Sequence, residues 1–321
     1  MRRAHRPLEH KGARGLMLAV ALAVALALGL WPLAADAGPW LRRPGNTYLQ
    51  LSYSRIAAAR IFSPDFSIQP LGASYEQHAL GAYAEVGLIE RWLTASFEGQ
   101  LFRYNLLVDQ GATYGLGDLR LGFWTGLIEK PVRLAAAVLL GIPSGDSSPS
   151  AGLGADAEGT LIARTLPTGD GEPDVELRLS LGHSFGRARR WPLEHYLVAE
   201  AGYWFRTRGR SRDLAGNLSF TDFSDAFTYR AELGTKLPFR FLDRFWFILR
   251  MTGVESFASS IEASRTCATG LGNGVTFNAY GFEVAARIWK GLGASLGLDS
   301  AFRARCVAAG VNLKTGVSLE F

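Results

Sequence analysis

From residue 46 onward the chain alternates apolar and polar positions in segment after segment, the pattern of strands with one apolar and one polar face. The last segment, 310–321, shows it most plainly. Val311, Leu313, Thr315, Val317, Leu319 and Phe321 share one face, and Asn312, Lys314, Gly316, Ser318 and Glu320 share the other. The same period predicts strands at 46–57, 74–88, 92–105, 115–128, 132–142, 173–186, 193–206, 226–237, 244–256, 277–289 and 291–303. Twelve is an even number, and each segment reaches the roughly ten residues that a tilted strand needs to cross a bilayer.

The connections alternate too. Those following odd strands are long, at 58–73, 106–114, 143–172, 207–225, 257–276 and 304–309, and those following even strands have six residues or fewer. Long loops at one rim and tight turns at the other predict an all-β fold, a transmembrane antiparallel up-and-down β-barrel of about twelve strands. A soluble sandwich with Greek-key crossovers would not keep that rhythm. Both termini then lie on the short-turn, periplasmic side. Trp92, Trp191, Trp246 and Trp289 fall at or beside the short turns, where a lipid–water boundary favours indoles.

The faces segregate accordingly. Leu121, Phe123, Val138, Leu140, Leu177, Leu179, Leu233, Leu249 and Phe282 are expected toward lipid. Glu98, Asp118, Arg120, Glu176, Arg178, Glu200, Arg230, Glu232, Lys236, Arg250, Glu283 and Arg287 are expected toward the lumen. A charge on the lipid face costs about 2–4 kcal/mol at the midplane and little at the interfaces. Arg55, Glu76, Arg103 and Glu255 fall on the lipid face in this reading, each near a long-loop end. The inward charges either line a conducting pore or pair across strands and brace the barrel. A twelve-stranded barrel lies between the filled eight-stranded case and the open porins.

Ending on an alternating strand closed by Phe321 resembles outer-membrane β-barrel proteins generally, in which a terminal Phe is read by the barrel-assembly machinery. That resemblance implies the same role for Phe321. The start of the chain is consistent with export. Arg2, Arg3, Arg6, Lys11 and Arg14 precede an uncharged apolar run, 16–30, and Ala35-Asp36-Ala37 offers a cleavage site. The expected organisation is a signal peptide at 1–37, a short periplasmic segment at 38–45 and the barrel at 46–321, placed in the bacterial outer membrane. Residues 1–37 hold five of the 34 Lys and Arg and two of the 29 Asp and Glu, so the mature chain would carry 29 against 27, a net of +2. So balanced a charge gives no support to nucleic-acid binding. With 37 Gly against 3 Met, and a mean hydropathy of +0.08, composition favours strands and turns over a helical membrane bundle.

Cys267 and Cys306 lie in two long loops on the same rim. In an oxidising compartment a bridge between them, closing about 39 residues, would contribute roughly 4 kcal/mol in the chain-entropy model. Free thiols or an intermolecular link are the alternatives. Neither has a His nearby, so no metal site is expected, and no cofactor is implied. The acidic 143–172 loop, rich in Gly, Ser and Pro, is expected to be a mobile solvated loop, with inward folding or cation binding as alternatives. An embedded lipid-modifying enzyme would need a nucleophile, base and orienting group within reach. His183-Ser184 lacks a third partner by spacing, and Ser74, Glu76 and His78 share a strand face at ~6.6 Å intervals.

Several turn motifs resemble the MetA-pathway of phenol degradation family of outer-membrane barrels. They are Gly87-Leu88-Ile89-Glu90-Arg91-Trp92, Gly115-Leu116-Gly117-Asp118, Ile142-Pro143-Ser144-Gly145-Asp146 and Pro167-Thr168-Gly169-Asp170. The resemblance spans roughly residues 75–320 and rests on Gly-rich turns. It implies passive or facilitated transport of small solutes, hydrophobic or aromatic ones among them, and transfers no binding residue. The alternative function is a non-conducting structural or surface-interaction barrel. The expected partners are outer-membrane lipid, the assembly machinery and a small-molecule solute.

Overall fold

The computed structural model describes residues 41–147, 153–155, 161–163, 166–188, 191–212, 218–236, 244–266 and 270–321. Among them are twelve barrel strands: β1 (Thr47–Phe62), β2 (Ile68–Ile89), β3 (Leu93–Leu107), β4 (Leu119–Ile128), β5 (Arg133–Ile142), β6 (Asp174–Ala188), β7 (Trp191–Phe205), β8 (Ala226–Lys236), β9 (Phe245–Ser256), β10 (Thr276–Trp289), β11 (Leu292–Arg305) and β12 (Val311–Glu320). Each pairs antiparallel with the next, and β12 closes on β1 from Tyr48↔Glu320 to Ala57↔Val311. The expected rhythm holds for the four middle long connections, after β3, β5, β7 and β9, whereas the connections after β1 and β11 have five residues each. A closed ladder satisfies every strand's backbone groups and leaves no edge, which is what lipid demands.

The outer face follows the expected pattern. Leu121, Phe123, Val138, Leu140, Leu177, Leu179, Leu233, Leu249 and Phe282 are all exposed around the barrel. The outward charges occur in pairs near the long-loop rim, Arg55 with Glu76 at 3.3 Å and Arg303 with Glu255 at 2.6 Å. Trp92 and Trp289 are exposed at the short-turn rim. Trp246 departs from the expected girdle: it shares the inward row of Ile248 and Arg250, and its ring lies 5.4 Å from that of Tyr196.

Three departures from the sequence reading shape the interior. First, β1 and β2 continue to a tight turn at 63–67, absorbing most of the expected 58–73 loop. Pro70 sits in the ladder opposite Arg60, beside a register shift, where a missing N–H is tolerated. Second, the ladder of β3 on β2 jumps from Leu80↔Phe102 to Gly81↔Gln100, leaving Leu101 as an extra residue. This bulge reverses the parity beyond it. Leu101 and Phe102 both face outward, and Arg103, which the unbroken alternation put on the lipid side, turns inward and is 6% exposed. Third, 111–115 folds back onto Arg103–Leu107 as a short return strand. Asp118 therefore precedes β4 instead of lying within it.

The densest apolar packing lies inside the barrel at the long-loop end. Leu166 is buried against Ala58, Tyr75, Leu107 and Ala308, which come from β1, β2, β3 and the segment before β12. The 143–172 loop, expected to be mobile and solvated, thus enters the mouth where it is described. Cys306 is fully buried beneath the same rim, and the described residues include no free cysteine. Cys267 lies outside the described residues, as does the expected signal peptide.

Candidate functional site: a charged belt between two caps

Strand parity builds the belt. Glu176 and Arg178 on β6, and Arg230 and Glu232 on β8, are two apart and so share the inward face. Register then sets Glu98 opposite Arg120, Glu200 opposite Arg230 and Glu232 opposite Arg250. The result is an alternating chain around the inner wall. Arg120 lies 3.8 Å from Glu98 and 3.1 Å from Glu176, and Arg178 lies 2.9 Å from Glu176 and 3.9 Å from Glu200. Arg230 lies 3.9 Å from Glu200 and 2.5 Å from Glu232, and Arg250 lies 2.9 Å from Glu232 and 3.1 Å from Glu283. Every arginine sits between two carboxylates, and the chain begins and ends on a glutamate.

Neutral groups complete it. Glu176 is wholly buried and also accepts from the Thr228 hydroxyl at 2.6 Å, Glu232 accepts from Tyr196 Oη at 2.6 Å, and Glu200 accepts from Ser180 at 3.1 Å. Opposite Arg178 stands Gly202, where a Cβ would come within 2.5 Å of Glu176 Oε1. Three expected residues stand outside the belt. Arg287 is exposed near the short turn, and Asp118 works in the loops. Lys236 pairs separately with Glu194 at 3.4 Å. The sequence reading missed Asp174, 3.6 Å from Arg120, although it continues the row of Glu176 and Arg178.

The extracellular-side cap is segment 166–172. Asn105, turned inward by the β3 bulge, donates to the Pro167 carbonyl at 2.9 Å. The Asp118 carboxylate accepts from the backbone N–H groups of Gly145 at 3.0 Å and Asp170 at 2.7 Å. Asp170 in turn accepts from the Gly272 N–H at 2.6 Å and from Arg206 at 2.9 Å. Arg206, almost wholly buried, also pairs with Glu172 and lies 4.5 Å over the Trp204 ring, on which Arg120 of the belt lies at 4.6 Å. The segment thus reaches from the β1–β3 wall to the loops after β7 and β9. Burial, with the neighbouring Asp170 carboxylate adding to it, pushes the Glu172 carboxyl up to about 8 against the opposing pull of Arg206. Burial also raises Asp118, against its two backbone hydrogen bonds.

The periplasmic-side cap is the segment before β1. Arg42 lies 2.8 Å from Glu85 on β2 and 2.6 Å from Glu320 on β12, and its guanidinium stands 5.0 Å over the Tyr48 ring. Its backbone N–H donates to the inward Thr94 hydroxyl at 3.0 Å. Gly87 makes room for this segment, since a Cβ there would collide with the Arg42 and Arg43 carbonyls.

The residues weighed for hydrolysis do not converge. His183 lies on the outer face, stacked on Phe185 and 3.1 Å from the Pro131 carbonyl, while Ser184 points inward. His78 faces outward beside Tyr53 and Glu76.

Solved structures similar to this chain are outer-membrane barrels. An outer membrane channel from Pseudomonas putida F1 is 11% identical, with 90% of this chain and 100% of that one covered and a TM-score of 0.59. The β domain of the Bordetella autotransporter BrkA is 14% identical, over 86% of this chain and 100% of that one, with a TM-score of 0.49. The translocator domain of the autotransporter NalP from Neisseria meningitidis is 7% identical over 96% of each chain, with a TM-score of 0.46. At these identities the likeness to the Pseudomonas channel is one of fold. No family model and no curated protein matches the chain, so the likeness to the phenol degradation family rests on its turn motifs alone.

Proposed function

We propose that this barrel lets small solutes cross the bacterial outer membrane passively. The observation that carries the reading is the unequal filling of the lumen. Ala135, Ala137 and Leu139 on the inner face of β5 are buried, while Ser52 and Ser54 on β1 and Ser295 and Gly297 on β11 keep partial exposure on theirs. A barrel serving only as a scaffold has no need of an accessible polar inner wall. The family resemblance adds hydrophobic or aromatic compounds as candidate cargo, and the fold shared with the Pseudomonas channel agrees with transport. Self-satisfied charges and two caps favour the second reading, a closed structural barrel.

The reading includes cleavage after Ala37, a Cys267–Cys306 bridge over the long-loop rim, and recognition of Phe321 by the assembly machinery. The test is single-channel recording of the refolded mature protein, with small aromatic and anionic solutes as blockers. Discrete steps reduced by such solutes are expected. A correctly folded, heat-modifiable barrel that gives no steps turns the assignment to the structural reading. The intact mass of the same preparation, before and after reduction and alkylation, checks cleavage and bridge.

A further inference from the structure

The two halves of the lumen differ in more than exposure. The belt occupies β3 to β10 with long side chains. Facing it, the inner rows of β11, β12 and β1 are short: Gly293, Ser295 and Gly297; Gly316 and Ser318; Gln50, Ser52 and Ser54. The only charged pair among those strands' inward residues at mid-height is Lys314 with Asp299, which neutralise each other. The inner row of β1 runs Tyr48, Gln50, Ser52, Ser54, Ile56, Ala58. Arg42 stacks on its first residue, and its last two belong to or pack against the apolar cluster that holds Leu166. Both caps therefore stand over the ends of one wall.

The geometry points to an off-axis solute path along the inner face of β11, β12 and β1, from the Leu166 cap to the Arg42 cap, selective for small uncharged hydrogen-bonding molecules. The inference deepens the transport reading and rests on it. Its physical basis is the chemistry of the wall. Serine hydroxyls and the Gln50 amide can replace water's hydrogen bonds to a neutral hydroxylated solute. An ion must shed hydration, and the charges beside this wall are Glu283, held by Arg250, and Arg287 opposite Gly293 at the short-turn end, so the serine stretch between them and the long-loop cap offers little to repay that cost. The belt offers an anion no free cation, because each of its four arginines is already held between two of its five carboxylates.

Ser54→Cys, Ser295→Cys and Ala137→Cys, each confirmed as folded by heat-modifiable mobility, would be reconstituted in liposomes and treated with a water-soluble methanethiosulfonate. Erythritol entry, read by swelling, should fall by more than half through Ser54→Cys and Ser295→Cys, while Ala137→Cys and the wild type stay unchanged. Ser52→Trp, which narrows the same wall without a thiol, should slow erythritol entry in the same way. In the wild type, erythritol should enter several-fold faster than a small monoanion of similar size. A barrel that admits erythritol but is blocked equally at Ala137→Cys, or is untouched at Ser54→Cys and Ser295→Cys, or prefers the anion, overturns the path. A folded wild type that neither conducts nor admits erythritol sinks the transport reading itself, and the path with it.

Discussion

At the scale of single residues, the belt shows what buried charge requires. Glu176 has no exposed surface and holds Arg120, Arg178 and Thr228 together. Removing one partner of such a cluster costs more than the pair contributes, because the remaining charges lose their compensation. Glu176→Ala should lower stability by about 3 kcal/mol, the low end of the range for breaking buried pairs, since both arginines keep some exposure. Glu176→Gln, which keeps the shape and an acceptor for Thr228, should cost less. Unfolding midpoints in detergent would check the order, and equal losses would mean that packing rather than charge holds the site. Such residues were legible from parity alone: nine of the twelve inward charges singled out by alternation are in the belt. Arg103 was not, because a bulge depends on the partner strand. The local hint was the adjacent apolar pair Leu101-Phe102 within an alternating segment, since both face outward.

At the scale of elements, the strands were readable and the loops were not. Strand alternation is a repeated signal, whereas the extracellular-side cap depends on one leucine in a polar stretch and on carboxylates that meet across three connections. Nothing in the spacing of Asp118, Asp170, Glu172 and Arg206 tells that they converge. Their convergence makes the cap sensitive to pH. Glu172 titrates near 4.5 when free of its surroundings and is pushed up to about 8 in the docked segment. The docked state therefore binds the extra proton. Its contribution is complete below the free value and is lost as pH rises toward about 8, by up to roughly 1.4 kcal/mol per pH unit. Segment 166–172 should undock more often at the alkaline end of that window. The rate at which an added protease nicks the 143–173 region, taken relative to Glu172→Gln at each pH, should rise from about pH 5 to about pH 8. A flat ratio would show that Arg206 keeps Glu172 ionised throughout.

At the scale of the molecule, the alternation of short and long connections decided the architecture before any contact was known, because only closure lets an even number of hairpins bury every backbone group in lipid. Closure itself is finished by the last residue. The Phe321 N–H donates to the Thr47 carbonyl at 3.0 Å, and the Thr47 N–H donates to the Phe321 carbonyl at 2.7 Å, while the ring stays 73% exposed. Backbone and ring thus have separable roles. Deleting Phe321 removes both seam bonds and the ring, whereas Phe321→Ala keeps the bonds and removes only the ring. If the residue matters as a closing rung, purified deletion protein should refold in detergent with lower yield and Phe321→Ala should match the wild type. If the exposed ring is what the assembly machinery reads, the two variants should assemble equally poorly in cells, although Phe321→Ala refolds normally when purified. Normal assembly of Phe321→Ala in cells would remove the recognition role and leave Phe321 as part of the seam, where its backbone bonds already place it.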